Sequence, residues 1–205
     1  DASLDNSVDL GNAFAFIKNV ELEIGGQLID RQYGDWMNVW AELTHGVAKG
    51  EQLKKLIDLN NQRMYIPLQF SFCRNPGLAI PLIALQYHEV KLNFRFKTLV
   101  TGGAVCLWCD YIYLDTDERR RFAQTSHEYL IEQLQFQDSA STTSHDLNFN
   151  HPVKELIWTG GWSGGAVVQL NALDTTALLK LNGHDRFAAR KMTYFSRAQV
   201  WQHHT

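Results

Sequence analysis

Gly161-Trp162-Ser163-Gly164-Gly165 is the stretch whose residue types and spacing most directly suggest chemistry. It fits G-x-S-x-G, the turn that raises a nucleophilic serine above an α/β sheet. Asp174, His184, Asp185, His203 and His204 follow in an order that an acid–histidine relay could use. Such a serine needs a strand running directly into a helix within a parallel sheet. The preceding chain shows no series of alternating strands and long helices. Three fixed positions in five also arise readily by chance in a glycine-rich loop. A serine hydrolase using Ser163 is therefore a remote alternative, and we expect no catalytic residues.

Cys106 and Cys109 form a CxxC, a spacing used for zinc and for redox chemistry. They lie inside Val105–Leu114, a β-rich run. Residues three apart on a strand point to opposite faces, so the two thiols do not readily share a metal. There is no second CxxC, and Cys73 leaves an odd total. All three are expected to be buried structural thiols in a reducing compartment. Asp115, Asp117 and Glu118 could be metal ligands or acid/base groups. Asp115 with Glu118 three residues later instead fits a helix-capping box, and Arg119, Arg120 and Arg121 then complement the helix dipole. The pairs His88-Glu89, His127-Glu128 and His203-His204 lack the one-faced spacing of a helical metal site. No metal and no cofactor is expected.

The elements that would position these residues are mostly strands. Val90, Leu92, Phe94 and Phe96 alternate with Glu89, Lys91, Asn93 and Arg95, the period of a half-buried antiparallel strand. Before them, Arg74-Asn75-Pro76-Gly77 is a turn cluster. Val20, Leu22 and Ile24 alternate with Glu21 and Glu23 and stop at Gly25-Gly26, a hairpin signal. Further strands are expected at 105–114, from Tyr129 to Phe136, and over 152–159. Trp36, Val39, Trp40 and Leu43 fall at helical spacing, with Asp35 as the expected N-cap. The tryptophans are expected to pack in the core. Leu53, Leu56 and Ile57 suggest a second short helical turn. Residues 1–12, Gly102-Gly103 and 138–146 read as turns or loops.

Composition excludes some functions. The chain has 205 residues, a net charge of −3 and scattered Lys and Arg, so it lacks the basic stripe that direct nucleic-acid binding needs. Its longest apolar run, around 78–85, contains Pro81 and is far shorter than the ~20 residues of a transmembrane helix. No Asn-x-Ser/Thr sequon is present. A carbohydrate-binding β-sandwich module is the main alternative function, because 6 Trp and 7 Tyr could build a sugar-stacking platform.

Four stretches resemble one family. They are YIPLQFSFCRNPGLAIPLIALQYHEVKLNFRF at 65–96, VELEIGGQLIDRQYGDW at 20–36, DYIYLDTDERRRFAQTSHEYLIEQLQ at 110–135, and LNGHDRF with YFSRAQVWQHHT within 181–205. In this order they resemble the major capsid proteins of the large eukaryotic DNA viruses, the phycodnavirus, iridovirus and mimivirus group. The resemblance implies an all-β double jelly roll, two tandem eight-stranded β-sandwich domains with short helices in loops and linker. It also implies a homotrimer that contacts neighbouring capsomers, with minor capsid proteins as further partners. The implied role is structural: pseudo-hexagonal capsomers tile an icosahedral virion, built in the host cell cytoplasm.

A weak internal repeat points the same way. Glu21–Gly26 and Leu178–Gly183 align at a constant offset of 157 residues, as Ile24 to Leu181 and Gly26 to Gly183 show. Each is a strand ending in a glycine turn, followed by a basic, aromatic segment. That offset is of domain size, too long for a solenoid repeat. The expected division is a first jelly roll over 1–114 with its N-terminal strands missing, a linker helix over 115–127, and the start of a second jelly roll over 128–205. Residue 1 is Asp, not Met, so an internal fragment is expected. Leu156, Trp158, Leu179 and Leu181 would then lie on an uncovered apolar face.

Overall fold

The computed structural model describes residues 13–58, 63–97, 104–138, 144–159, 162–163, 166–167 and 175–204. The expected loop at 1–12, the Gly102-Gly103 turn, Gly161, Gly164, Gly165 and Asp174 lie outside them, as does most of the 138–146 loop.

A three-stranded antiparallel sheet forms the centre, in the order β2-β1-β5. β1 spans Ile17–Ile24, β2 Gln27–Tyr33 and β5 Val90–Phe96. The two alternating runs pair in register, Val20 opposite Phe94, Leu22 opposite Leu92 and Ile24 opposite Val90. Gly25 and Gly26 close the β1–β2 hairpin at φ 60° and 82°, the left-handed pair that a two-residue type I′ turn demands.

Helix α1, Gly34–Thr44, packs on this sheet. Phe14, Ile17, Val20, Leu22, Met37, Ala41 and Phe70 form the buried core. Gly34 starts the helix where a Cβ would lie 2.2 Å from the Ile17 carbonyl oxygen and 2.3 Å from that of Phe14, so no larger residue fits without backbone movement. The helix is placed as expected, but its buried face is Met37 and Ala41, with Trp36, Val39, Trp40 and Leu43 half-buried. Trp36 and Trp40 pack on each other at 5.7 Å, and the Arg74 guanidinium covers Trp40 at 4.8 Å. Asp35 does not cap the helix. Tyr33 holds that position without a side-chain bond, and Asp35 lies in the first turn, paired with Lys97 at 2.7 Å.

Of the second helical turn expected at Leu53, Leu56 and Ile57, helix α2, Val47–Lys55, takes in only Leu53; Leu56 is its C-cap and Ile57 already belongs to a strand. The two-residue strands β3, Ile57–Asp58, and β4, Arg63–Met64, pair behind it. Helix α3, Ser71–Arg74, and a 3-10 turn at Pro76–Leu78 occupy the turn cluster. Helix α4, Thr116–Gln124, stands where the acids predicted it, and Asp115 Oδ1 accepts from the Glu118 amide at 2.8 Å. None of its residues is buried.

The second half is sheet-poor among the described residues. Strands expected at 105–114, 129–136 and 152–159 form no ladder. The physical reason is the same in each case: a strand needs a neighbour whose backbone takes its N–H and C=O groups in register, and no such pairing forms among the described residues. What forms instead is a set of two-residue ladders. β6, Trp162–Ser163, pairs with β7, Ala166–Val167. β8, Thr176–Ala177, pairs with β11, Arg190–Lys191, and β9, Lys180–Leu181, with β10, His184–Asp185.

The β9–β10 hairpin turns through Asn182 at φ 51° and Gly183 at φ 80°, each 157 residues after its counterpart in the Gly25-Gly26 turn. A π-helical turn at Tyr194–Gln199 and helix α5, Val200–His203, follow, as α1 follows β2. Each half therefore runs from a hairpin to a helix, directly in the first and by way of β11 in the second.

Candidate functional site

Asp174 and the Ser163 side chain lie outside what the structure describes, and the described histidines with catalytic spacing each have other surroundings. The backbone at Trp162–Ser163 folds back antiparallel on 166–167, not into a helix, so it lacks the geometry of a nucleophile elbow. His184 and Asp185 sit in β10. His204 Nε2 lies 2.5 Å from Glu155 Oε1, and that pairing accounts for the downstream histidine. His127 Nε2 meets the Phe122 carbonyl at 2.8 Å and its ring lies between Phe122 and Tyr129. His88 packs over Gly25. Among the described residues, no cluster of three or more His, Cys, Asp or Glu could hold a metal ion.

The cysteines correct an expectation. Cys73, Cys106 and Cys109 are free and all exposed, not buried. Cys106 and Cys109 are open because their run has no partner strand to cover it. Cys73 is an exposed residue whose thiol is still shielded enough for desolvation to push its pKa up.

What the fold does assemble is a polar junction between its two halves. A β-bulge between Leu22 and Glu23 shifts the β1–β2 register, so that Asp30 faces Leu22 and Gln32 faces Val20. Two polar residues thereby enter the buried row: Asp30 is 6% exposed and Gln32 1%. Asp30 Oδ1 accepts from the backbone amides of Arg31 at 2.9 Å and Leu134 at 3.1 Å, and Oδ2 accepts from Gln32 Nε2 at 2.6 Å. Burial raises the Asp30 pKa above its ordinary value, while these donors and the nearby Arg74 charge oppose the rise. Gln133 Nε2 donates to the Ile29 carbonyl, and Tyr33 packs against Phe136 at 5.0 Å. Arg74 Nη1 reaches Glu132 Oε2 at 3.4 Å, and Lys154 pairs with the same carboxylate. The Lys154 bond leads the causes that hold Glu132 below its usual pKa. On the far side, Gln135 and Gln137 accept from the Asn150 and Asn148 amides, each at 3.0 Å.

Sequence reasoning missed this cluster. An unbroken two-residue hairpin would have placed Ile29 opposite Leu22, and only the bulge brings Asp30 inward.

Two apolar surfaces accompany the junction. Residues 105–113 run extended, without a ladder, and expose Val105, Leu107, Trp108, Tyr111, Ile112 and Tyr113; Trp108 is 87% and Tyr113 91% exposed. A cleft of about 460 Å³ opens between the sheet and the 123–131 stretch, lined by Leu22, Ile24, Phe72, Ile80, Leu85 and Tyr129 among others. Among the described residues, no helix is long and apolar enough to cross a membrane. Continuous exposed apolar surface of this kind marks contact with further protein.

Comparison with known proteins agrees with the arrangement. Residues 7–115 match the family model described as major capsid protein N-terminus, and 118–160 match that of the large eukaryotic DNA virus major capsid protein. A major capsid protein of Pyramimonas orientalis virus is 50% identical over 92% of this chain and 53% of its own length. One of Paramecium bursaria Chlorella virus 1 is 40% identical over 91% of this chain and 57% of its own. The chain thus spans little more than half the length of these curated relatives. The crystal structure of PBCV-1 VP54, as fitted into a cryo-EM reconstruction of the virophage Sputnik, superposes with a TM-score of 0.77 at 36% identity, covering 96% of this chain and 63% of that one. The quasi-atomic model of the PBCV-1 capsid gives 0.71 at 35%. With two family models matched in order along it, the first over more than half its length, the chain belongs to the major capsid protein family of the large eukaryotic DNA viruses.

Proposed function

We propose that the chain is a shell-building part of a virion capsid, with self-assembly as its function and no active site. The observation that carries this reading is the superposition over 96% of the chain on a capsid protein at 36% identity. In this reading the protein folds as a double jelly roll. The first domain covers 1–114, a linker carrying α4 covers 115–127, and a second domain starts at 128. The I′ turn repeated 157 residues on supports that duplication. Three copies of a duplicated jelly roll make a pseudo-hexagonal capsomer, a shape that tiles an icosahedral face. The capsomer contacts its neighbours and minor capsid proteins, does not bind nucleic acid directly, and assembles in the host cell cytoplasm. The exposed apolar run at 105–113 is the kind of surface such assembly covers.

Light scattering coupled to size exclusion tests the reading on the protein expressed from its complete reading frame. A mass of three protomers, with hexagonal particles in negative stain, is the expected result. A stable monomer that forms no such particles at high concentration would contradict it. Ser163 is proposed to be catalytically inert: a fluorophosphonate probe should leave it unlabelled.

A further inference from the structure

In the order β2-β1-β5, β2 is an edge strand, with a ladder on one side of its backbone only. An open edge is a row of unpaired N–H and C=O groups that invites a strand from another chain. Two backbone groups of β2 are taken by side chains instead. Ile29 is the bulge residue, opposite no residue of β1, and its carbonyl accepts from Gln133 Nε2. The Arg31 N–H donates to Asp30 Oδ1 at 2.9 Å, and the same oxygen accepts from the Leu134 N–H at 3.1 Å. The Asp30 carboxylate therefore stands between two stretches of backbone and bonds one amide of each. We infer that this layer of side chains guards the edge of β2: it holds the 132–137 stretch over that edge and shuts out a strand from a second copy of the chain.

The cover is laid in strand-like order. Gln133 meets Ile29 and Leu134 meets Asp30, each pair 104 residues apart, so the stretch runs parallel to β2. Phe136 continues the line onto Tyr33, with ring centroids 5.0 Å apart. On the far side, Gln135 Oε1 takes the Asn150 amide and Gln137 Oε1 the Asn148 amide, each at 3.0 Å. There one position rises by two as the other falls by two, the order of an antiparallel neighbour. In both seams a carboxylate or carboxamide stands where a ladder would have a backbone group. A ladder needs backbones about 4.8 Å apart, and none joins these stretches. Glu132 ties the start of the cover to Arg74 at 3.4 Å and to Lys154.

A second copy is the strand to be excluded, because it is the neighbour present in every solution of the chain. Each copy carries an extended, exposed run at 105–113 that has no ladder of its own. Chains of this kind need one edge kept shut while their other surfaces stay free to associate.

Hydrogen exchange of the 205-residue chain, resolved at the Arg31 amide and run at two protein concentrations tenfold apart, tests the guard. In the wild type the protection of Arg31 should not depend on concentration, since association through other surfaces leaves this amide where it is. In Asp30→Ala/Gln133→Ala it should fall ~tenfold at the lower concentration and recover ~threefold or more at the higher, as a strand of a second copy pairs with the opened edge. Asp30→Asn should behave as the wild type: its Oδ1 still accepts from both amides, and the unpartnered Gln32 Oε1 can turn to its new N–H group. If the double substitution also strips protection from β1 and β5, the sheet has unfolded, and Gln133→Ala/Leu134→Pro decides. That variant lifts the cover from outside the core and should show the same gain of Arg31 protection with concentration. Arg31 protection independent of concentration in the folded open-edge variant overturns the guard, and so does an equal gain with concentration in the wild type.

Discussion

The strand at 17–24 and the run at 105–114 are both β-rich, and they come to opposite ends. β1 has a neighbour on each side, buries Val20 and Leu22, and anchors the core. The 105–114 run has five β-branched or aromatic residues, Val105, Trp108, Tyr111, Ile112 and Tyr113, against Ile17, Val20 and Ile24 in β1, yet it pairs with no neighbour among the described residues and lies exposed. The difference shows that strand propensity is a statement about a surface to pack against, not about the backbone alone. It also sorts the molecule by packing: a first half built on a buried core and a three-stranded sheet, and a second half held by short ladders and side-chain contacts.

Substitutions can break that contrast or sharpen it. The largest effect is expected at Phe14, 1% exposed in the core cluster. Phe14→Ala should cost about 3–5 kcal/mol in urea unfolding, a large share of the stability of any domain. Gly34→Ala comes next. Its Cβ would collide with two carbonyl oxygens that belong to backbone and cannot swing away. The expected loss is about 1–3 kcal/mol, read by the same titration, and a neutral result would show that α1 is free to shift on the sheet. Asp115→Ala removes the α4 cap and should cost that helix about 0.5–2 kcal/mol, seen as lost amide protection at 116–124 while β1 is unaffected. Smallest of all, Tyr113→Ser in the chain by itself should change unfolding free energy by less than ~0.5 kcal/mol, because the side chain is 91% exposed. A larger loss would mean that the run is already packed in solution.

Much of this was legible in the residues. The alternation at 20–24 and 90–96, the Gly25-Gly26 turn and the Asp115 cap each depend on contacts within a few residues or on one simple face, and each stands where it was read. The face of α1 was misread because Trp36 and Trp40 are large and half-burial suits them, whereas the tight contact with the sheet needs the slimmer Met37 and Ala41. Cys106 and Cys109 depart from expectation for the same reason as their strand: pattern suggests burial, and pattern cannot supply the covering layer. Asp30 was invisible because a bulge resets register by one residue, and nothing in Leu22-Glu23 announces it. The family could be read early because its motifs are runs of sequence, whereas the junction is a meeting of residues 104 apart.

The contrast between the halves can be measured directly. Hydrogen exchange of the 205-residue chain, followed by mass spectrometry and set beside light scattering of the same sample, should find β1, β2 and β5 strongly protected. Residues 104–114, 152–159 and 175–191 should exchange near intrinsic rates, in a sample that self-associates through its exposed apolar surface. A monodisperse monomer protected evenly from 104 to 204 would contradict the account.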